Sequence, residues 1–315
     1  MSRKATGAKA TPMQWALMLL AMVCPASSAE PYPGDAPTGW HERVDVEVVD
    51  FRDEGVQARL KARGPGAPPL LIRNALTKTT SKKFGSLAQL TKFGRTSVVK
   101  KLLKEGGSTI AGVKTNKHSP HFQYWDNSIQ WLGRPEMKDH KKRHAWHRWK
   151  YDDTMIVDKF FRAFAKNSTP HLYWQNAIPP DVIGINPRPA LCRRAASSEF
   201  EQSCSDEATA GTMWLNSAGQ IAHAHFDREA IIFVQLSGHK RWTFFHPTQL
   251  SDLCMYPYAH PALRCLQADI GNNVGIECER SKGLHNRSIT LNPGDLLIVG
   301  PYHVHRVEAI SDSIS

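Results

Sequence analysis

Beyond Leu172 the apolar residues recur at every second position, in short runs cut by Gly, Pro and Asn turns, and this rhythm restricts the fold more than any other feature of the chain. Thr212-Met213-Trp214-Leu215 precedes a turn at Asn216-Ser217-Ala218-Gly219. Ile221 to Asp227 and Ile231 to Leu236 follow, then a Ser237-Gly238 turn and Lys240 to Phe245 before Pro247. Asn292-Pro293-Gly294 turns the chain into Asp295 to Val299, and Val304 to Ile310 is the last such run. Successive side chains on a strand point to opposite faces, so each run can bury one face against a facing sheet. Short strands at this spacing predict a β-sandwich or jelly roll.

The first half reads differently. Glu30 to Pro69 is punctuated by Pro and Gly around one strand-like run, Val44 to Phe51, in which Val44, Val46 and Val48 alternate with polar neighbours. Leu70-Leu71-Ile72-Arg73 is a second apolar run after a Pro-Gly-Ala-Pro-Pro turn. Ser86 to Leu103 mixes helix and strand signals, with Val98-Val99 inside and Lys100, Lys101 and Lys104 in solvent. Asp153 to Lys166 carries Ile156, Val157, Phe160, Phe161 and Phe164 at the spacing of an amphipathic helix. The predicted organisation is a basic mixed α/β segment over residues 30–165 that buttresses a β core over residues 166–315. Between Leu71 and Lys150 there are 18 Lys/Arg against 4 Asp/Glu, whereas the whole chain carries 40 against 29, so one segment holds the basicity. At 41% hydrophobic and 22% charged residues, wholesale disorder and a multi-span membrane protein are excluded.

The amino terminus reads as a targeting segment. Arg3, Lys4 and Lys9 lead into an apolar stretch from Met13 to Val23, then Pro25 and an A-x-A-like arrangement ending at Ala29. This is the layout of a secretory signal over residues 1–29, and it predicts the endoplasmic reticulum lumen or the extracellular space. The apolar run is about half of the roughly 20 residues that a spanning helix needs; an uncleaved anchor and an organelle transit peptide are the alternatives. Removing Cys24 leaves Cys192, Cys204, Cys254, Cys265 and Cys278, at most two bridges and one thiol, with no C-x-x-C pair. Two sequons, at Asn167 and Asn286, are acceptors for glycosylation in a eukaryotic lumen.

Candidate chemistry lies in Ala222-His223-Ala224-His225-Phe226-Asp227. On a strand, His225 and Asp227 project to one side, and an imidazole and a carboxylate so spaced can take adjacent corners of a metal octahedron. A third ligand must come from another strand, and His305 is the candidate. Two His and one carboxylate with three positions open is the arrangement of non-heme Fe(II) oxygenases. The plainer alternative is a strand with surface histidines, since the chain has 15. By parity His223 shares a face with His225, and His303 with His305. A second basic, aromatic run, Asp139 to Lys150, would line His140, His144 and His147 along a helix face; it reads as a solvated face before a metal site, and it could also meet nucleic acid phosphates.

The stretch from Tyr173 to Ile310 resembles the JmjC-domain (cupin-like) Fe(II)- and 2-oxoglutarate-dependent oxygenases, and within them the small JmjC-only hydroxylases of the factor-inhibiting-HIF type. His225-Phe226-Asp227 stands as the H-x-D motif, followed by Phe233 to Arg241, Trp242 to Pro247 and Met255-Tyr256-Pro257-Tyr258; Pro293-Gly294-Asp295 through Tyr302-His303-Val304-His305 supplies the distal histidine. Leu70 to Arg73 resembles the family's N-terminal strand. The resemblance implies a double-stranded β-helix (jelly-roll) core. It also implies iron held by His225, Asp227 and His305, with O2 as oxidant. Lys240, backed by the Tyr173 hydroxyl, would pair with the distal carboxylate of 2-oxoglutarate. Register then selects His225, two before the acid, and His305, eleven after Gly294, and leaves His223 and His303 as pocket-mouth residues or inert neighbours, the plainer reading for both. Two positions depart from the pattern: Ala222 and Ile231 stand where members of that group carry Thr and Asn that contact the co-substrate and its surroundings. Ser311 to Ser315 reads as the approach to the last core strand, so the core is expected to be incomplete at that strand. The implied substrate is a protein or peptide; a demethylase or nucleic-acid-modifying oxygenase and a non-catalytic binding protein are the other classes. Substrate identity and oligomeric state are not encoded in any motif of the chain.

Overall fold

A computed structural model describes residues 45–63, 66–76, 85–116, 120–122, 150–164, 171–178, 211–256, 264–266, 268–269, 274–275 and 284–315. The targeting segment 1–29, the run from Asp139 to Trp149, Asn167, Cys192, Cys204 and Cys278 lie outside the described residues. In chain order the strands are β1 (Glu47–Asp50), β2 (Leu70–Arg73), β3 (Thr109–Asn116), β4 (His121–Phe122), β5 (Lys150–Ile156), β6 (His171–Ile178), β7 (Gly211–Asn216) and β8 (Ile221–His225). They continue with β9 (Ile231–Val234), β10 (Lys240–Phe245), β11 (Ala268–Asp269), β12 (Val274–Gly275), β13 (Asn286–Leu291), β14 (Leu296–Val299), β15 (Val304–Ala309) and β16 (Ser313–Ile314). Helices α1 (Val56–Ala62), α2 (Thr96–Glu105) and α3 (Val157–Phe164) stand among the early strands.

The larger sheets run β1-β2-β14-β9, β13-β10-β15-β8-β4 and β16-β7-β6-β3-β5. Every pairing in them is antiparallel except β1 with β2 and β4 with β8. Strands far apart in sequence are neighbours in space, β14 between β2 and β9 and β15 between β10 and β8, which is the crossing pattern of a jelly roll. Alternation is obeyed where the faces are opposed. Trp242 and Phe244 of β10, Leu291 of β13, Phe233 of β9, Leu71 of β2 and Leu297 of β14 bury together in one cluster. The second core forms under the early elements. Phe160, Phe161 and Phe164 of α3 pack with Val99 of α2 and with Leu172 and Trp174 of β6, the Phe160 and Phe164 rings stacked at 5.8 Å. Residues on both sides of the 165/166 division share sheets: β2 pairs with β14, and β3 with β6.

Long-range pairing moves two boundaries away from where local pattern sets them. The helical periodicity begins at Asp153, yet residues up to Ile156 belong to β5, because Met155 and Ile156 pair with Ile110 and Thr109, and the Val157 N–H donates to the Ser108 carbonyl. Val48, grouped with Val46 by alternation, is exposed while Val46 and Val49 are buried; β1 starts only at Glu47, so Val46 lies outside the pleat that orders the others. Ser313 and Ile314 are themselves strand: β16 pairs with Asn216 and Leu215 of β7, and Ile314 bridges Ser237.

The Pro-Gly-Asp turn has a structural reason for each of its last two residues. Gly294 sits at a φ of +93°, and Asp295 accepts from the Asn292 and Asn74 N–H groups and pairs with Arg73, which ties β2 to the start of β14. Gly238, before β10, is more constrained. Its φ is +69°, and a Cβ there would overlap the Asp312 carbonyl oxygen. Gly238→Ala is expected to destabilise the fold by more than the ~1–2 kcal/mol of the left-handed backbone alone, read as a lower urea midpoint; an unchanged midpoint would contradict this tight approach.

Candidate metal centre and its cavity

Strand β8 does not keep strict alternation. His305 of β15 stands opposite His225 and Val307 opposite Ala222, so two residues along β15 match three along β8. Such a bulge re-aims the side chains that follow it. Ala222 and His225 therefore both face the interior with Val307 and His305, and His223 turns away, its Nε2–H donating to the Leu266 carbonyl at 2.6 Å. The sequence parity that placed His223 beside His225 is broken by this one extra residue.

The two cavity-facing histidines are held the same way. His225 Nδ1 lies 2.6 Å from the His223 carbonyl, and His305 Nδ1 lies 2.9 Å from the His303 carbonyl. A carbonyl only accepts, so each Nδ1 carries a proton and Nε2 is the ring nitrogen left to ligate. Asp227 supplies the acid. Its Oδ2 is 3.9 Å from His225 Nε2 and 3.7 Å from His305 Nε2, inside the ~4.2 Å that two ligands of one ion can span with bonds of about 2.1 Å. Among the described residues these three form one cluster whose ligand atoms all lie within 4.8 Å of one another. Burial, and then the charge of His225, hold His305 well below the ordinary histidine range, so its imidazole is neutral and ready to ligate at physiological pH. Two imidazoles locked by backbone carbonyls and one carboxylate fit a hard-to-intermediate divalent ion such as Fe(II).

Two neighbours of the cluster carry no sequence signal of their own. Arg264 Nη1 donates to Asp227 Oδ1 at 2.8 Å, which leaves Oδ2 to face the imidazoles. Cys265 bridges His225 across the backbone, but burial pushes its thiol up to about 12, so it is not a thiolate ligand at neutral pH. Arg264 comes from a loop whose approach to β8 is set by the Phe226 N–H donating to the Arg264 carbonyl and the Leu266 N–H to Ala224, contacts that no local motif announces.

The cluster lies at one end of a cavity of about 210 Å³. Pairing of β10 with β15 and β15 with β8 arranges its wall in layers, with His305 beside His225, then Trp242 and Val307 beside Ala222. Lys240 and Ala309 follow, and the Ala309 N–H donates to the Gln220 carbonyl at 2.8 Å. Lys240 is thus deep in the barrel, 3% exposed. Its Nζ donates to Ser315 Oγ at 2.6 Å and lies 5.0 Å from the centre of the Phe233 ring. Among the described residues no carboxylate pairs with it, and burial lowers its pKa to about 7. Tyr173 lines the same cavity from β6 and donates its hydroxyl to Gln175 Oε1 at 2.6 Å. All five candidate residues, His225, Asp227, His305, Lys240 and Tyr173, therefore line one cavity. Ala222 and Ile231 also line it, and offer it no polar atom. His303 is buried and contributes its carbonyl to His305.

Comparison with known protein families agrees with this architecture: a family model described as a cupin-like domain matches residues 65–315.

Proposed function

The chain belongs to the family of cupin-like domains, and from that premise we propose that it is an Fe(II)- and 2-oxoglutarate-dependent oxygenase that hydroxylates a protein or peptide side chain. The observation that carries this reading is the polarity of the cavity: a two-histidine, one-carboxylate cluster at one end, and at the other a buried lysine that no acid among the described residues pairs with. A keto diacid that chelates a metal with one end needs a cation at its far end, and a buried ammonium is costly unless an anion joins it. Iron and 2-oxoglutarate would supply the oxidation, in which O2 and the keto acid are converted to succinate and CO2 while a substrate C–H becomes C–OH.

The chain's own residues supply ligation, orientation and exclusion of water. His225, Asp227 and His305 would hold the ion, with the His223 and His303 carbonyls fixing both rings and Arg264 fixing the carboxylate. Trp242, Val307 and Phe233 wall the middle of the cavity and keep it dry. Lys240 would hold the distal carboxylate, with Tyr173 beside it. The secretory address belongs to the same proposal. It is supported by the leader-like residues 1–29, by Cys254 in a disulfide, and by an exposed sequon asparagine, Asn286. Among the described residues no helix is long and apolar enough to cross a membrane.

The test is an anaerobic titration. Adding 2-oxoglutarate to the Fe(II)-loaded full chain is expected to produce a saturable metal-to-ligand charge-transfer band, and O2 is then expected to discharge it with formation of succinate. A protein that binds Fe(II) but gives no such band is not a 2-oxoglutarate enzyme.

A further inference from the structure

Gln220 is a buried amide whose hydrogen bonding is incomplete. It stands just before β8, 2% exposed, on the wall of the cavity. Asn216 Nδ2 donates to Gln220 Oε1 at 2.5 Å, while Gln220 Nε2 and Asn216 Oδ1 have no partner among the described residues. Exchanging N and O on both amides swaps the roles but leaves the same surplus, one NH2 donor and one carbonyl. Buried donors are almost always satisfied, so a donor left over at a cavity wall points to a ligand atom there.

Register says which part of the cavity this is. Lys240 pairs with Ala309, and Ala309 is hydrogen bonded to Gln220, so the three residues form one row across neighbouring strands. Lys240 and Gln220 are two strand spacings apart, about 10 Å between backbones, and the middle residue carries only a methyl group. Two long side chains thus line the cavity on either side of Ala309, one ending in an ammonium and the other in an amide. A carboxylate has two oxygens and one cation satisfies one of them best; a neutral N–H is the natural second donor. The Tyr173 hydroxyl is committed to Gln175, and Ala222 and Ile231 have no donor to give.

We infer that Gln220, oriented by Asn216, is the second donor to the distal carboxylate of the co-substrate, opposite Lys240 across Ala309. The inference rests on the 2-oxoglutarate reading of the site, and adds to it a residue that binds the carboxylate.

The experiment compares 2-oxoglutarate with 2-oxobutyrate, a keto acid lacking the distal carboxylate, in anaerobic titrations of the Fe(II)-loaded full chain. Gln220→Met keeps the length and removes the donor. It is expected to weaken 2-oxoglutarate about ten- to hundredfold, as loss of a hydrogen bond to a charged group does, and to leave 2-oxobutyrate and Fe(II) affinity unchanged. Ala309→Leu adds bulk to the cavity wall between Lys240 and Gln220 while leaving the amide pair itself unsubstituted, and is expected to weaken 2-oxoglutarate selectively as well. If Gln220→Met binds both keto acids as the wild type does, or weakens both equally, the inference is overturned while the oxygenase reading stands. Unchanged 2-oxoglutarate binding by Ala309→Leu also overturns it. If the wild type itself binds no 2-oxoglutarate, the oxygenase reading falls and takes the inference with it.

Discussion

Asp227→Ala is expected to leave a folded protein that neither retains Fe(II) nor forms succinate above the background without protein. The carboxylate is the one anionic member of the cluster, and its Oδ2 is the only acidic oxygen facing the two Nε2 atoms among the described residues. Without it two imidazoles remain, a pair that holds a divalent ion weakly. Loss of an outer hydrogen-bond partner of a metal ligand costs roughly 10–100-fold in affinity, so loss of the ligand itself is expected to exceed about 100-fold. The fold should tolerate the change. Arg264, freed of its partner, is 41% exposed in its side chain and can rehydrate, so no uncompensated charge is buried. Co(II) titration followed by its visible spectrum separates the metal effect from any later step, and thermal melting of the apo protein controls for folding. An Asp227→Ala protein with wild-type Co(II) affinity would remove the metal centre from the account, and the cavity with its buried lysine would need another ligand.

Parts of this site are legible in one sequence because they obey period two. Lys240, Trp242 and Phe244 share a strand face by simple alternation, and all three are buried. His225 and Asp227 are close in the chain, so their juxtaposition needs only local geometry. The distal histidine was reachable through the order of motifs. What could not be read depends on distant strands. The extra residue that turns His223 out of the cavity exists only because β8 pairs with β15 out of step. Arg264 lies 37 residues after Asp227, and no local pattern announces their contact. Asn216 and Gln220 flank a turn and look like ordinary polar turn residues, and only the closing of the sheets buries them as a pair. The start of α3 illustrates the same competition from the other side, since four residues with helical periodicity were claimed by pairing with β3.

Lys240→Met is expected to make the apo protein more stable at neutral pH and blind to 2-oxoglutarate. Burial lowers the Lys240 pKa from 10.5 in the open chain to about 7 in the fold. Below pH 7 both states carry the proton, and the folded state bears the full cost of an ammonium in an apolar wall. Between about 7 and 10.5 the unfolded chain still holds the proton and the folded chain does not. The unfolded state then binds more protons, so stability must rise with pH, by up to about 1.4 kcal/mol per pH unit. Methionine keeps the length of the side chain and removes the titration, so its urea midpoint should lack that rise and lie above the wild type at pH 7. Ligand binding should show the opposite sign. A distal carboxylate favours the protonated amine, so 2-oxoglutarate affinity in the wild type should fall above pH 7, by at most about tenfold per unit, while the weak residual binding of the variant stays flat. Two slopes of opposite sign that vanish together in one substitution would tie the stability of the empty barrel and its affinity for a diacid to a single proton on Lys240. If the variant kept wild-type affinity for 2-oxoglutarate, the lysine would be a buried structural group, and the far end of the cavity would have to recognise something other than a carboxylate.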